Sequence, residues 1–197
     1  MNRISLPADI VVQEKSLLSD NWYHLYRYRF TYTTATGRKI NQTREVYDRG
    51  NGASVLLYNE EKNTVILVRQ MRFPTWLNGN KEGYLLEAIA GLLDEDDPKE
   101  CACRESVEET GYQPINLSKV CSVYVSPGAV TEILHCYVAE YNDILRQGTG
   151  GGIDDENIEV LEMDFCDVWN MLLKGEIRDA KTVILLQHLK LSGKMKS

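Results

Sequence analysis

The chain has 197 residues, which is enough for one domain with an extension and leaves little room for a second full domain. Its formal charge of −7 and sequence pI near 5.1 argue against a nucleic acid or an anionic membrane surface as its main partner. An acidic protein that binds an anionic substrate needs a cation between the two, so the composition favours a bound metal for any such substrate.

The cysteines and the N-terminus indicate where the protein works. Five cysteines, an odd number, lie along the chain without the spacing of a disulfide framework, and we interpret them as reduced thiols. Residues 1–19 contain no apolar stretch flanked by basic residues, and no apolar run approaches the ~20 residues of a membrane span. We therefore expect a cytoplasmic location and no membrane partner.

The first β-rich segments predict an antiparallel hairpin. Residues 22–34 and 38–48 are rich in Tyr, Thr and Val, and they flank a turn at residues 35–37. A hairpin alone is marginally stable in water, so this one needs a partner surface. That surface is either the rest of the same chain or a second copy in a dimer, and the pattern does not choose between them.

The next segments predict the core of a sheet. Residues 53–58 and 64–69 contain continuous apolar runs and predict a second hairpin with buried strands. Arg69 and Arg72 then lead through a loop at 75–80 to another apolar segment. An arginine at such a place suits bidentate contact with a phosphate, and we favour Arg72, although a solvated surface cation is the common alternative.

Residues 91–112 predict a short acidic helix. Asp97 can cap its start, Pro98 suits the first helical position, Glu100 has the spacing of a capping box, and Gly111 can end the helix. At 100° per residue, the helix has a small packable face and an opposite acidic face. The packable face carries Ala102, Cys103, Ser106 and Val107, and the acidic face carries Glu105, Glu108 and Glu109.

The acidic face favours a bound cation. Like charges at helical i, i+3 and i, i+4 spacing repel one another, and the repulsion grows if the face is partly buried. Hard carboxylate oxygens with few histidines nearby favour Mg2+ or Mn2+, which also bind substrate phosphates. A solvated acidic face is the common alternative for such a pattern taken alone. With a metal, the helix predicts phosphate chemistry.

Two later loops are candidates for the same site. The polar loop 126–132 contains Glu132, which can accept hydrogen bonds from a sugar or a base, although a plain turn is an equally good interpretation. Glycines at 148 and 150–152 precede three carboxylates, Asp154, Asp155 and Glu156. This combination favours a mobile lid that brings a base or a metal ligand to the site, against the alternative of a solvated acidic loop.

The C-terminal part predicts two helices. One starts at Asp164 or Asp167 and ends at Leu173, and the other is capped by Asp179 and spans 180–191. Lys181 lies in the first turn of the second helix, where the helix dipole disfavours a cation. We therefore consider a contact of Lys181 with a phosphate or a base, beside the commoner interpretation of an exposed lysine.

The segment Arg-Glu-Ser-Val-Glu-Glu-Thr-Gly-Tyr at 104–112 resembles the second half of the Nudix box, G-x5-E-x7-R-E-U-x-E-E-x-G-U, with Gly91 as its leading glycine. The stretch from Gly91 to Arg104 is one residue shorter than in the box. Asp96 or Asp97 stands in place of the first glutamate, and Ser106 fills an apolar position. The resemblance covers the half of the box that holds its metal-binding glutamates.

The Nudix resemblance implies a fold and a metal site. The fold is α+β, with a mixed β-sheet between helices, here preceded by the N-terminal antiparallel hairpin. The resemblance implies that Glu105 and Glu109 bind the metal together with the backbone carbonyl of Ala90. It also implies that Glu108 binds or orients the metal, and that Mg2+ or Mn2+ is the cofactor.

Blocks over roughly residues 15–190 are similar to the NudK-type GDP-mannose pyrophosphatases, a subgroup related to the ADP-ribose pyrophosphatases. These blocks lie at 44–52, 76–80, 126–132, 150–152 and 175–179. In that subgroup the active site is shared by a homodimer whose N-terminal hairpins exchange. The resemblance therefore implies an N-terminal extension at 1–48 and a Nudix domain at 49–193.

The same resemblance implies the substrate contacts. Residues that would reach the partner's site are Trp22, Thr43, Arg44 and Glu45. Residues that would contact substrate in their own chain are Arg72, Ala90, Gly91, Leu92, Glu132 and Lys181. Glu156 matches a metal-binding glutamate of the mobile loop. Trp22 stands where a tyrosine is expected, and Ala180 stands where glycine is common.

The implied reaction is metal-dependent hydrolysis of GDP-mannose to GMP and mannose 1-phosphate. Glu156, Asp154 or Asp155 would position the attacking water, and the sequence does not separate the base from the ligand. An ADP-ribose pyrophosphatase shares the fold and the metals and is the first alternative. A non-catalytic Nudix-fold ligand sensor is the second, although a sensor has no need of three mutually repelling carboxylates.

Overall fold

The computed structural model describes residues 9–152 and 157–196, and the chain divides into two compact units. The first unit contains the described residues up to Gly50 together with Ser126–Glu132, and the second contains Asn51–Val125 and the described residues from Ile133 onward. The strands of the first unit are β1 (Ile10–Asp20), β2 (His24–Thr33) and β3 (Lys39–Asp48). The predicted α+β class is confirmed.

The first unit is a three-stranded antiparallel sheet with the order β1-β2-β3. The predicted hairpin is present as β2 and β3. The sequence did not indicate β1, because the pairing of β1 with β2 shifts register between Val12 and Glu14 and again between Leu17 and Ser19. Each shift interrupts the alternation of apolar and polar residues by which a strand is identified.

The two faces of this sheet differ in chemistry. Tyr26, Tyr28, Phe30 and Tyr32 alternate along β2 and so lie on one of its faces. The ring centroids are 6.0 Å apart for Tyr26 and Tyr28 and 6.3 Å apart for Phe30 and Tyr32. Arg27 and Arg29 alternate with them and lie on the opposite, polar face. The sheet therefore has one aromatic face and one polar face.

The segment Ser126–Glu132 joins the first unit beside the end of β3. The Tyr47 N–H donates to the carbonyl of Ala129 at 2.7 Å, and the Thr131 N–H donates to the carbonyl of Tyr47 at 3.1 Å. The Thr131 hydroxyl also donates to the Asp48 carboxylate at 2.9 Å. The polar loop at 126–132 is thus held by backbone hydrogen bonds.

The second unit is built on a mixed sheet. Its strands are β4 (Gly52–Asn59), β5 (Thr64–Met71), β6 (Tyr84–Glu87), β7 (Ile89–Leu92), β8 (Ile115–Tyr124), β9 (Ile133–Glu140) and β10 (Glu159–Asp164). The main strand order is β10-β5-β4-β9-β8, with β6 paired to β5 and β7 paired to β4. Its helices are α1 (Phe73–Leu77), α2 (Pro98–Thr110), α3 (Phe165–Leu173) and α4 (Ala180–Leu191), with a 3-10 turn at Asp143–Leu145.

Apolar cores lie on both faces of the central strands. Leu56 and Leu67 pack in one core with α3 and α4, whereas Val55 and Val68 pack in the other core with α2. Side chains alternate between the faces of a strand, so a strand covered on both sides must be apolar at every position. This explains the continuous apolar runs, and the prediction that these strands are buried is confirmed.

The helix boundaries follow the predicted caps. The Asp97 side chain accepts from the Lys99 N–H, and Gly111 ends α2 with a left-handed φ of 76°. Asp164 caps α3, and Asp179 caps α4 by accepting from the Thr182 N–H. In the described part of the chain, no helix combines the length and apolar character needed to cross a membrane.

The packed face of α2 differs from the predicted one. The helix buries Ala102 and Ser106 as expected, but Cys103 and Val107 are only half-buried. Buried in addition are Cys101, Glu109 and Thr110. The buried face is therefore turned toward the acidic side, because small residues let the helix lie close to the sheet at an orientation that a hydrophobic pattern alone does not specify.

The glycine segment before position 153 packs against the end of α2. The N–H groups of Gly151 and Gly152 donate to the carbonyls of Glu109 and Glu108 at 2.9 and 3.2 Å. A Cβ on Gly150 would collide with the backbone of Glu109 and of the residue that follows it. Glycine lets this segment satisfy carbonyls at the helix end. Residues up to 152 thus form part of the scaffold, where the sequence predicted a mobile lid.

Replacement of Gly150 by alanine tests this packing. The new Cβ would meet helix backbone at a φ of 70°, so we expect a loss of about 1–3 kcal/mol in the free energy of unfolding, as for other strained backbone positions. Gly148→Ala is the matched control, because nothing lies within 4 Å of a Cβ there. Urea unfolding measures both variants, and equal midpoints would contradict the close approach.

Candidate active site

Three acidic side chains converge on one guanidinium beside α2. Nε of Arg104 lies 3.0 Å from Asp96 Oδ2. Nη1 of the same arginine lies 2.7 Å from Glu105 Oε1 and 3.1 Å from Glu108 Oε2. Burial disfavours the charged guanidinium, but the hydrogen bond to Asp96 and the neighbouring carboxylates outweigh it and raise the pKa of Arg104. One positive charge faces three negative charges, so negative charge remains in excess.

These contacts distinguish the two aspartates that were candidates for the first acidic position of the box. Asp96 pairs with Arg104, whereas Asp97 caps the helix. The stretch from Gly91 to Arg104, although one residue shorter than in the box, therefore still brings a carboxylate to Arg104. The carbonyl of Leu92 accepts from Arg104 Nη2 at 3.3 Å and from the Cys101 thiol at 3.2 Å.

Strand β7 lies close to the acidic face of α2. A Cβ on Gly91 would collide with the carboxylate of Glu105, so only glycine allows the strand and this side chain to occupy their observed positions. Ala90, Gly91 and Leu92 pair with β4 in the sheet, which fixes their backbone. The predicted ligands Ala90 and Glu105 are thus on elements that pack together.

The donor set on α2 suits a hard divalent cation. Glu105 and Glu108 are half-buried, and Glu109 is only 4% exposed. Within residues 9–152 and 157–196, no three Asp, Glu, His or Cys side chains already form a metal cage. Oxygen donors with an excess of negative charge nonetheless match the preferences of Mg2+ and Mn2+, so Glu105 and Glu109 are chemically suitable ligands.

Arg72 is held by a buried carboxylate that the sequence analysis did not identify. Its Nε and Nη2 donate to the two oxygens of Glu87 at 2.7 and 3.0 Å. Glu87 is 2% exposed, whereas Arg72 is partly accessible. Arg69 instead pairs with Glu159 at 3.1 Å across strands β5 and β10. The preference for Arg72 over Arg69 thus agrees with their surroundings, and its substrate contact stays a prediction.

Lys181 belongs to the same cluster. Its ammonium donates to Glu87 Oε2 at 2.5 Å and to Asp179 Oδ1 at 3.0 Å. The other oxygen of Asp179 accepts from the N–H and the hydroxyl of Thr182, and that hydroxyl accepts from the Ala88 N–H at 2.6 Å. These acidic partners explain why a cation is tolerated in the first turn of α4. Lys181 is buried, not exposed as the commoner interpretation expects.

The charges in this cluster stabilise one another. Burial disfavours an ionised carboxylate, but Arg72 and Lys181 outweigh that penalty and hold the pKa of Glu87 below its usual range. Burial also disfavours the charged Lys181 and Arg72, yet the adjacent carboxylates raise the pKa of both. Glu109 of α2 is among the carboxylates that raise the pKa of Arg72.

Four predicted contact residues belong to the first unit. Trp22 is 87% exposed in the turn between β1 and β2. Thr43 and Glu45 pair with Arg29 and Arg27, so they lie on the polar face, whereas Arg44 pairs with a tyrosine of the aromatic face. A single flat ligand on one face of this sheet therefore cannot meet Thr43, Arg44 and Glu45 together.

Glu132 is also part of the first unit. Its side chain is buried, and Oε1 lies 3.7 Å from Nε of Arg49. The guanidinium of Arg49 lies 5.4 Å from the ring centroid of Tyr23. No sequence pattern indicates Arg49 or Tyr23, because their spacing from Glu132 carries no local signal. The predicted contact of Glu132 with substrate stays a prediction.

The predicted catalytic residues Asp154, Asp155 and Glu156 lie outside the described residues. The missed residue Glu87 had a detectable signal, because it is a lone charge in the apolar run Leu85-Leu86-Glu87-Ala88-Ile89. A charge in a buried strand needs a buried partner. The identity of that partner depends on the fold.

Two protein-family models match the chain. The model described as GDP-mannose pyrophosphatase NudK N-terminal domain matches residues 9–47. The model described as NUDIX domain matches residues 48–186, more than half of the chain. The two matches meet close to the end of strand β3.

Curated relatives are similar over nearly their whole length. A protein of Pectobacterium atrosepticum named GDP-mannose pyrophosphatase is 53% identical over 190 residues, covering 96% of this chain and 97% of its own. A protein of Klebsiella pneumoniae with the same name is 52% identical over 96% of each chain. A third, from Cronobacter sakazakii, is 50% identical over 98% of this chain and all of its own.

Proposed function

The chain belongs to the Nudix family, and we propose that it hydrolyses the pyrophosphate of GDP-mannose to give GMP and mannose 1-phosphate. The observation that carries the proposal is the acidic helix α2 packed against Gly91, in a chain about half identical to proteins named GDP-mannose pyrophosphatase. The Nudix resemblance predicted from the sequence is confirmed by the family match.

Nudix domains generally use divalent metal ions, and we propose Mg2+, with Mn2+ as the alternative. Glu105, Glu109 and the Ala90 carbonyl would hold the metal, together with Glu156. A bound metal neutralises phosphate oxygens and lowers the pKa of a coordinated water. The excess negative charge around Arg104 supports this assignment, because it favours a cation beside α2.

The protein's own residues would orient the substrate and its carboxylate ligands. Arg104 restrains Glu105 and Glu108 through Nη1, which limits the positions that their oxygens can occupy. Arg72 would donate to the diphosphate from the edge of its guanidinium that faces away from Glu87. Glu156, Asp154 or Asp155 would orient the attacking water. The backbone of Gly91 and Leu92 would line the site.

The two alternative functions that the sequence left open are supported to different degrees. An ADP-ribose pyrophosphatase would use the same acidic helix, and the names of the relatives favour GDP-mannose over it. A non-catalytic sensor is disfavoured, because the relatives are named as enzymes and the three carboxylates of α2 are present. The cytoplasmic location and the lack of a nucleic-acid partner stay predictions.

The substrate proposal predicts that GDP-mannose has a higher kcat/KM than ADP-ribose at one Mg2+ concentration. A site that hydrogen-bonds one base or sugar leaves polar groups unpaired with another, at about 1–3 kcal/mol per group, or roughly ten- to hundredfold in rate. Nucleoside monophosphate release from a panel of nucleotide sugars measures this. A tenfold advantage of ADP-ribose would remove the GDP-mannose assignment and leave the enzyme class intact.

Glu109→Gln tests the metal assignment. We expect turnover to fall at least about a hundredfold, as when one electrostatic group of an active site is lost. The free energy of unfolding should hold or rise slightly, because the change relieves repulsion on α2. Glu162→Gln is the control, because Glu162 lies on strand β10, outside the proposed ligands, and likewise accepts hydrogen bonds, from Lys62 and Tyr141. Near-normal Mg2+-dependent turnover of Glu109→Gln would refute Glu109 as a ligand.

We also propose a homodimer in which the N-terminal extension at 1–48 reaches the partner's Nudix domain at 49–193. Trp22, Thr43, Arg44 and Glu45 would then contact the partner's substrate, and Glu132 would contact the sugar or base. In the described chain, β1 pairs only with β2 and exposes apolar side chains at Ile10, Val11, Val12, Leu17 and Leu18. Such an apolar edge strand supports a contact with a second copy.

Leu17→Lys tests the dimer. A lysine on the exposed edge strand should weaken association at least about tenfold, which corresponds to roughly 1.4 kcal/mol, and should lower activity with it. Leu191→Lys is the matched control, because Leu191 is an exposed leucine at the end of α4. Sedimentation velocity at micromolar concentration measures both. A fully active monomeric wild-type protein would rule out the shared site.

A further inference from the structure

Glu87 occupies a position where a carboxylate is costly. It pairs with Val68 in the sheet and is 2% exposed, with apolar residues on either side in the sequence. An ionised carboxylate in such surroundings persists only if cations and hydrogen bonds replace its water. A well-packed apolar side chain would serve the core as well, so stability alone does not account for a charge here.

Glu87 fixes the orientation of Arg72. The guanidinium is planar, and both Nε and Nη2 are bonded to the Glu87 carboxylate, so rotation of the arginine fork is prevented. The remaining edge, which carries Nη1, points away from this carboxylate. Arg72 is partly accessible to solvent, so this edge is the part that can meet a ligand.

Glu87 also sets the distance between two cations. Its Oε2 accepts both from Arg72 Nη2 at 3.0 Å and from the ammonium of Lys181 at 2.5 Å. Arg72 precedes α1 and Lys181 lies in α4, so this single oxygen joins two distant parts of the second unit. Without the negative charge the two cations would repel each other at short range. Asp179 would then compensate only Lys181.

We propose that Glu87 is a positioning residue that holds Arg72 and Lys181 as one preorganised pair of phosphate contacts, an inference that rests on the proposed hydrolysis of a nucleotide diphosphate sugar. Glu87 itself does not touch the substrate. Its effect on turnover passes through Arg72 and Lys181, because a small displacement of a group that orients the substrate lowers the rate strongly.

Glu87→Gln removes the charge and keeps the size. We expect kcat/KM to fall about thirty- to hundredfold in the wild-type background. In an Arg72→Gln background the same change should cost clearly less, about three- to tenfold, because Lys181 is then the one remaining residue of the pair through which Glu87 acts. Glu162 on β10 is another carboxylate that pairs with a lysine, and Glu162→Gln should leave kcat/KM unchanged. Equal losses in both backgrounds would overturn the inference.

Glu87→Asp covers the case in which Glu87→Gln does not fold. It keeps the charge and withdraws the carboxylate by one methylene group, so the thermal midpoint should stay within a few degrees while kcat/KM falls about tenfold. If the role of Glu87 were purely structural, the loss of kcat/KM would instead follow the loss in thermal midpoint. Wild-type kcat/KM in Glu87→Asp would overturn the inference.

A substrate-free measurement separates this inference from the proposed function. The Arg72 Nε–H, identified in 15N NMR spectra by its loss in Arg72→Gln, should exchange slowly in the wild-type protein and rapidly in Glu87→Gln. The kinetics use whichever nucleotide sugar the wild-type protein cleaves. If it cleaves none, the proposed function fails and the role in turnover with it. If it cleaves one and the Glu87 variants have the same kcat/KM as the wild-type protein, the proposed function stands and only the inference fails.

Discussion

Pairing of half-buried or buried carboxylates with a few cations is the interaction on which the candidate site in the second unit depends. Arg104 pairs with three carboxylates in one cluster, and Glu87 joins Arg72 to Lys181 in another. Buried ions are costly to separate from their partners, so each pair restrains the elements that carry it. Charge pairing therefore determines the positions of these side chains, whereas apolar packing supplies most of the stability.

The apolar core provides the rigid frame for these pairs. Strands β4 and β5 are covered on both faces, by α2 on one side and by α3 and α4 on the other. Gly91 brings β7 against Glu105, and the glycines before position 153 close the end of α2. A site on strands and helices packed in this way has little freedom to move its groups apart, which suits metal and phosphate chemistry.

The first unit has the opposite character. Its sheet has three strands, and β1 exposes apolar side chains along one edge. Alternation in β3 places Arg44 on the aromatic face and Thr43 with Glu45 on the polar face. In the proposed dimer, β3 would therefore contact the partner with both of its faces, or its residues would contact the partner at two different places. The apolar edge strand β1 is the surface that favours such a contact.

The sequence alone determined what depends on near neighbours: the caps of α2, α3 and α4, the apolar runs of the central strands, and the acidic pattern that marks the Nudix box. Cap hydrogen bonds and side-chain periodicity involve residues a few positions apart, so a short stretch of sequence is enough to identify them. Only the tertiary structure decided that Asp96, and not Asp97, pairs with Arg104, and that Glu87 contacts a lysine 94 positions away. It also decided that β1 pairs along β2 despite two register shifts that interrupt the alternation of apolar and polar residues. Such contacts follow from how the strands and helices are packed, and residue spacing does not encode them.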